Sequence, residues 1–182
     1  MIILFNKPYG VISQFSPHPK LKTLKEFIPL LNIYPVGRLD ADSEGLLILT
    51  DNGKLQNELA NPTKKVFKKY WVQVENIPKE SDLKELETGI KIKDYLTKPA
   101  KLRFIEDPKI WHREKPIRER KKIPTSWLEI QICEGKNRQI RKMTAAINCP
   151  TLRLIRVAIG NYSIEGINPG EYMNSAEHDL IT

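Results

Sequence analysis

The sequence predicts an α+β fold in which helices flank a mixed, mostly antiparallel sheet. Segments with strand character outnumber those with helical character, and the two kinds are mixed along the chain. A length of 182 residues with 40% hydrophobic side chains is enough for one substantial core. We therefore expect a single domain over residues 1–182, with room for two subdomains around a central cleft.

The first half of the chain begins with strand patterns. Residues 2–5 and 11–15 predict two strands, separated by the turn Lys7-Pro8-Tyr9-Gly10, in which proline presets one φ and glycine can supply a positive one. The capping box from Thr23 to Glu26 predicts a helix that reaches about residue 31 despite Pro29. The apolar run 45–50 predicts a strand, and residues 54–60 predict a small helix.

The second half continues the mixed pattern. Alternation over residues 70–75 predicts a half-buried strand, and residues 81–88 predict a helix that Gly89 ends. Further strands are predicted near 100–106, at 127–133 and at 152–157. Residues 137–147 predict an amphipathic helix with Ile140, Met143 and Ile147 at helical spacing.

Composition limits the classes of function. Lys and Arg outnumber Asp and Glu by 30 to 22, which gives a net charge of +8. Such an excess is typical of nucleic-acid binders, although basic proteins also use charge for solubility. Two cysteines and no CxxC pair argue against zinc and a disulfide framework, and fit a reducing cytoplasm. The apolar run at the N-terminus is too short for a signal peptide or a membrane span.

Residues 109–122 carry seven Lys or Arg against two Glu. Charge runs are usually solvated, mobile loops, and this one is predicted to connect two strands. Here planar rings are interleaved with the cations, a combination that can hold phosphates and stack on unpaired bases. We therefore expect RNA contact, with these candidates: Trp111, His112, Arg113, Arg118 and Arg120.

The stretch from Gly37 to Thr50, GRLDADSEGLLILT, places Asp40 where a loop meets an apolar strand. Functional groups favour such edges because the strand positions what the loop presents. Spacing alone favours a plain turn, which Asp and Ser residues form routinely. The acids at 40 and 42 could also suggest a metal site or a glycosidase-like carboxylate pair, but nothing else in the chain completes a metal ligand set.

These residues resemble a known family, the RsuA-type ribosomal RNA pseudouridine synthases. The stretch GRLDADSEGLLILT is similar to its signature, Lys7-Pro8-x-Gly10 to its first motif and Lys68-x-Tyr70-x-Val72 to its tyrosine motif. EGKNRQIRKM, from Glu134 to Met143, is similar to its third motif. The motifs occur in order over essentially the whole chain. Residues 116–127 and 150–156 resemble the E branch of the family, whose members act on the large ribosomal subunit.

The resemblance implies the pseudouridine synthase fold and a reaction without cofactor or metal. The uracil is detached at N1, reoriented and rejoined to the ribose through C5. It implies that Asp40 is the essential carboxylate, that Tyr70 stacks on the base and that Arg141 pairs with the aspartate. Arg138 is the second choice for this pairing, since residues 138 and 141 share a face of the predicted helix. Trp71 is expected on the opposite face of the strand, in the core.

The resemblance further implies a ribosomal RNA substrate. The stretches similar to the E branch, residues 116–127 and 150–156, favour RNA of the large subunit. The remaining residues expected to contact RNA are basic: Lys7, Arg38, Lys68, Lys136 and Arg138. No membrane and no obligate protein partner is expected. Two rivals stay open, the same reaction on small-subunit ribosomal RNA or transfer RNA, and a catalytically silent assembly factor that binds ribosomal RNA.

Two departures from the family pattern stand out. Most RsuA-type enzymes carry an N-terminal S4 RNA-binding domain, whereas here the catalytic pattern begins at residue 1 and no S4 domain is expected. RNA affinity would then come from the catalytic domain, including residues 109–122. The turn Thr-Asn-Asp-Gly of the family reads Thr50-Asp51-Asn52-Gly53 here, a change that turn chemistry tolerates.

Overall fold

The structure is a computed structural model that describes residues 1–93 and 95–176. The strands of this part, in chain order, are β1 Ile2–Lys7, β2 Val11–Ile12, β3 Lys22–Thr23, β4 Tyr34–Pro35, β5 Glu44–Thr50, β6 Lys68–Glu75, β7 Lys91–Ile92, β8 Tyr95–Leu96, β9 Lys101–Ile105, β10 Thr125–Ile132, β11 Thr151–Ile159, β12 Tyr162–Ser163 and β13 Tyr172–Ser175. The α-helices are α1 Gly53–Ala60, α2 Glu80–Thr88 and α3 Gln139–Ala146. Strands outnumber helices, so the predicted α+β class is confirmed.

The described residues divide into two compact units, the first formed by residues 1–66 and 155–176 and the second by residues 67–93 and 95–154. In the first unit, β1 pairs antiparallel with β13 on one side and with β5 on the other. The short β4 also pairs antiparallel with β5, whereas β11 pairs with β5 in parallel. The predicted mixed, mostly antiparallel sheet is therefore confirmed.

The core of the first unit lies beside β1 and β5, whose residues are buried throughout. Both strands read as continuous apolar runs in the sequence, as expected of strands covered on both faces. The cluster is composed mainly of large aliphatic and aromatic side chains: Ile3, Phe5, Val11, Leu24, Ile28, Ile33, Leu47 and Leu49.

In the second unit, β10 pairs antiparallel with β6 and with β9. Leu128, Ile130 and Ile132 of β10 are buried on one face, as their alternation predicts. They share a core cluster with Ile140, Met143 and other side chains of α3 and its surroundings. Helix α2 ends at Gly89, whose φ of 112° and close approach to the Thr97 carbonyl suit glycine alone.

One predicted helix is much shorter than expected. Thr23 N does donate to Glu26 Oε1 at 3.0 Å, yet only Leu24–Glu26 form a single 3₁₀ turn. Pro29 accounts for the early end, since it has no N–H to donate and disfavours helical backbone at Ile28.

Helix α1 is capped by Asn52, a residue of the turn Thr50-Asp51-Asn52-Gly53. The side chain of Asn52 accepts from Lys54 N at 3.0 Å and from Leu55 N at 3.2 Å. Either Asn or Asp can cap a helix in this way, which explains why the altered turn is tolerated. Within the described residues, none of the helices has the length and apolar character needed to cross a membrane.

Candidate active site

Asp40 lies in the loop immediately before β5, and its side chain is half-buried. Backbone hydrogen bonds hold the loop at Asp40 itself and at the residue after it. Ser43 N donates to Asp40 O at 3.1 Å, and Gly10 N donates to Ala41 O at 2.7 Å. The second bond joins the predicted turn at residues 7–10 to the loop, so two separated sequence motifs meet at this point.

A serine that no motif identified fixes the other side of Asp40. The buried hydroxyl of Ser13 donates to Leu39 O at 2.9 Å and accepts from Leu39 N at 3.0 Å. The neighbouring Leu39 side chain is itself buried. Asp40 therefore projects from a backbone that is held before, at and after it, the preorganisation that a catalytic carboxylate requires. No local pattern in the sequence distinguishes this serine from any other.

Lys7 is completely buried beneath this loop, with none of its side chain exposed. Its Nζ donates to Val11 O at 2.7 Å and to Pro8 O at 2.9 Å. The expectation that Lys7 contacts RNA is therefore wrong, because a buried ammonium cannot reach a phosphate. Instead it closes the turn that follows β1.

The burial of Lys7 and the charged groups near it change the pKa of its ammonium group. Burial lowers the pKa of Lys7 to about 7, and the carboxylates of Glu44, Asp42 and Asp40 oppose that shift only in part. Arg156 adds to the lowering. This buried residue donates Nε to Leu46 O at 2.8 Å, across the pairing of β11 with β5. The carboxylates of Asp40, Asp42 and Glu44 and the guanidinium of Arg156 therefore all interact with the Lys7 side chain.

The acids beside Asp40 do not extend into a metal site. No group of three or more His, Cys, Asp or Glu side chains in residues 1–93 and 95–176 is arranged to hold a metal ion. Asp42 is half-buried and Glu44 is buried at the start of β5. Both carboxylates interact electrostatically with the buried Lys7 side chain.

Tyr70 belongs to the second unit and is 7% exposed. It lies on the same face of β6 as Val72 and Val74, and its ring is part of the core cluster of that unit. Trp71 lies on the other face and is half-buried, so the expectation that Trp71 is the core aromatic is wrong. Successive residues of a strand do face opposite ways, but in β6 the Tyr-Val-Val face is the buried one.

The third motif presents its arginines differently from the predicted helix. Helix α3 begins at Gln139, and Arg138 precedes it as the N-cap residue in the left-handed region, with φ of 53°. Arg138 and Arg141 are therefore not two positions of one helical face. Arg138 is exposed in the loop before the helix, whereas Arg141 is half-buried in its first turn.

Two side chains of this motif fold the loop before α3. Gln139 donates Nε2 to the buried carboxylate of Glu134, and its Oε1 accepts from Lys136 N at 3.0 Å. Glu134 also accepts from Lys98 N at 2.8 Å. This network closes the loop that carries Lys136 and Arg138. The motif contains both residues, but sequence reasoning assigned neither of them a role.

The remaining basic candidates occupy varied positions. Arg38 is exposed in the first unit, and Lys68 is half-buried at the start of β6 in the second. Lys136 is exposed, with its Nζ 5.0 Å from the centroid of the Tyr95 ring. His112 is exposed, whereas Trp111 and Arg113 are half-buried. Arg118 and Arg120 both approach Glu75, at 2.9 and 3.7 Å.

Asp40, Arg38 and Lys7 thus belong to the first unit. The other candidates belong to the second: Lys68, Tyr70, Trp111, His112, Arg113, Arg118, Arg120, Lys136, Arg138 and Arg141. Each unit gathers residues from motifs that are distant in sequence, as the Gly10 to Ala41 bond and the Lys98 to Glu134 bond illustrate.

Comparison with known proteins gives a consistent result. The family model for RNA pseudouridylate synthase matches residues 1–146. Ribosomal large subunit pseudouridine synthase E of Xanthomonas campestris pv. campestris is 51% identical over 175 residues, which cover 94% of each chain. The protein of the same name from Vibrio vulnificus is 51% identical over 94% of this chain and 73% of its own length.

A solved structure gives the same picture. The crystal structure of a pseudouridylate synthase superimposes with a TM-score of 0.79 at 26% identity, covering 94% of this chain and 68% of the other. The match includes both units, because it spans nearly the whole chain.

Proposed function

This chain belongs to the RNA pseudouridylate synthase family, and from that premise we propose that it isomerises a uridine of large-subunit ribosomal RNA. The observation that carries the proposal is the identity of about half of all residues to relatives named for that substrate, over 94% of the chain. The alternatives of a small-subunit or transfer RNA substrate have no comparable support. A ribosomal RNA substrate implies that the protein works in the cytoplasm.

Asp40 is the residue we propose as the essential carboxylate. The reaction breaks the bond from C1′ to N1 and forms one from C1′ to C5; C5 releases its proton and N1 takes one up, so the atoms of the nucleoside are conserved. A group that attacks the ribose, attacks the base or removes a sugar proton must be an anion near the glycosidic bond. Asp40 meets the structural requirement because it is half-buried on a loop that Ser13, Ser43 and Gly10 hold in place.

Tyr70 and Arg141 are proposed as its partners from the second unit. The side chains packed around Tyr70 would hold its ring rigid, as a surface that stacks on a uracil requires. Arg141 is half-buried in the first turn of α3, which follows directly on the loop that Glu134 and Gln139 close. An arginine paired with the aspartate would stabilise its negative charge during the reaction.

The target nucleotide must leave its stack, because the glycosidic carbon is shielded inside a helix. The exposed Arg38, two residues before Asp40, is the proposed side chain for the vacated place or for an adjacent phosphate. The same position would let one loop hold both the reacting sugar and the RNA around it.

Mapping of pseudouridines tests the substrate. Purified protein is incubated separately with large-subunit RNA, small-subunit RNA and transfer RNA, each transcribed without modifications. Carbodiimide treatment and primer extension then locate new pseudouridines. We expect one new stop in the large-subunit RNA, in naked form or in an assembling particle. Modification of small-subunit or transfer RNA alone would contradict the proposed substrate, and no modification of any of them would contradict the activity.

A further inference from the structure

The segment 109–122, which we term the basic connection, joins β9 to β10 in the second unit. Its cations are of two kinds. Some are tied to the body of the unit, and others extend from it into solvent. This division, which the sequence does not reveal, decides which of them can meet a ligand.

Arg118 and Arg120 are tied to one buried carboxylate. Arg118 Nη2 lies 2.9 Å from Glu75 Oε1, and Arg120 Nε lies 3.7 Å from the same atom. The Glu75 side chain is 5% exposed, against 56% and 52% for the arginines. A buried carboxylate without a cation is costly, so the pairing fixes the arginines over β6.

The end of the connection that enters β10 is fastened to the same place. Ile123 N donates to Arg120 O at 2.9 Å and so closes a turn. Asn76 N donates to Pro124 O at 2.8 Å, and Ser126 Oγ donates to Asn76 O at 2.8 Å. Residues 118–126 are thus held along the C-terminal end of β6.

The other end is held by a buried arginine. Arg153, which is 9% exposed, donates Nη2 to Trp111 O at 3.0 Å. Its guanidinium carbon lies 5.9 Å from the centroid of the Trp111 ring. The tryptophan is therefore fixed against β11, with one cation already beside it.

Three of the four lysines of the connection follow Trp111 and differ from these arginines, whereas the fourth, Lys109, precedes the held segment. Lys115, Lys121 and Lys122 are exposed, and their side chains form no hydrogen bond or ion pair within residues 1–93 and 95–176. The backbone that carries these lysines is held at Trp111 on one side and along residues 118–126 on the other. Extended ammonium groups on a fixed backbone suit a polyanion with regularly spaced charges, because each phosphate contact releases a counterion.

We propose that Lys115, Lys121 and Lys122 are the phosphate-contacting side chains of the basic connection, and that Arg118 and Arg120 position them by their tie to Glu75. The choice of RNA as the polyanion rests on the proposed function. The proposal revises the sequence-based expectation that Arg118 and Arg120 themselves bind RNA, because their guanidinium groups are engaged with a buried acid.

The salt dependence of RNA binding tests this assignment. Binding of a large-subunit RNA fragment is measured over a series of salt concentrations for wild type and two variants. The variant K115Q/K121Q/K122Q should reduce the slope of log K against log salt by about 2 to 3, given roughly 0.7–0.9 per phosphate contact. Amide hydrogen exchange of residues 111–122 should not change, because the ties remain.

The matched variant is E75Q/R118Q/R120Q, which removes the ties without leaving a buried charge unpaired. We expect its salt slope to equal that of wild type and its amide exchange in residues 111–122 to rise at least tenfold. A slope reduced by about 1.4–1.8 would assign two phosphate contacts to the arginines and overturn the proposal. An unchanged slope in the lysine variant would overturn it as well.

These outcomes are separable from failure of the proposed function, since the slope reports binding and not turnover. If wild-type protein binds RNA with the expected salt slope but modifies no RNA, the proposed synthase activity is wrong and the proposed phosphate contacts are unaffected. Normal turnover with binding that salt does not affect overturns the surface alone.

Discussion

Gly45 and Arg156 face each other where β5 and β11 pair in parallel, and their backbones are too close for any side chain at position 45. A Cβ on Gly45 would lie 2.3 Å from the carbonyl oxygen of Arg156. The φ of Gly45 is 102°, a region that L side chains rarely adopt. The glycine of the signature stretch therefore lets β11 approach the strand that follows Asp40.

Replacement of that glycine should damage the fold directly. We expect Gly45→Ala to lower the free energy of unfolding by about 3 kcal/mol or more, from overpacking together with backbone strain. Urea denaturation measures the loss. Gly53→Ala is the matched control, because nothing lies within 4 Å of its added Cβ. At the start of α1 that change should be neutral or stabilising, and equal losses in both variants would refute the argument.

Asp40→Asn should abolish turnover without loss of structure. The amide keeps the size of the side chain but removes the negative charge that the reaction requires. Release of tritium from 5-tritiated uridine in ribosomal RNA should fall by at least a thousandfold, with the melting temperature and RNA affinity unchanged. Asp42→Asn provides the matched control, since Asp42 lies in the same loop and should retain most activity. Residual turnover by the Asp40 variant near the wild-type rate would remove Asp40 from the proposed mechanism.

The buried Lys7 should make stability depend on pH in an unusual direction. Burial lowers its pKa in the folded protein to about 7, from an ordinary value of 10.5. Between these values the unfolded chain binds more protons, so the free energy of unfolding should rise with pH from about 7 to 10. Below pH 7 both states are protonated and this contribution no longer changes. The slope is limited to about 1.4 kcal/mol per pH unit for one proton.

Denaturation curves of Lys7→Met and wild type, recorded from pH 6 to pH 10, check this linkage. We expect the free energy of unfolding of wild type, relative to that of Lys7→Met, to rise as pH increases above about 7 and to be constant below it. The exposed Lys25 offers a control, because Lys25→Met should show the pH dependence of wild type. Parallel curves for Lys7→Met and wild type would mean that Lys7 does not titrate in this range.

The cap of α1 offers a test of the altered turn. Asn52→Ala removes the acceptor for Lys54 N and Leu55 N and should cost about 1 kcal/mol. Asn52→Asp restores the residue that the family usually has at this position and should cost nothing, since a carboxylate caps equally well and suits the helix dipole. Thermal unfolding of both variants decides the matter; a large loss in the Asp variant would show that the amide has another role.

Local sequence patterns predicted much of this protein because they reflect contacts between near neighbours. The apolar run of β5 and the alternation in β10 predicted their strands, and Gly89 predicted the end of α2. The ordered motifs also predicted the family that the comparisons show. By contrast, the helix expected to reach residue 31 ends at Glu26, because Pro29 prevents its continuation and the capping box alone does not extend it.

Tertiary structure alone decided what each functional candidate contacts. The motif placed Lys7 near the site, but only the packing of β1 against its neighbours buried it and changed the pKa of its ammonium group. The ion pair of Arg118 with Glu75 joins residues 43 positions apart, and the two hydrogen bonds between Ser13 and Leu39 join residues 26 positions apart. Such long-range contacts depend on how distant segments of the chain pack together. The periodicity of residues along the chain does not specify that packing. The sequence by itself therefore determined that Asp40 stands in the signature of a synthase, whereas the fold decided what holds its loop in place.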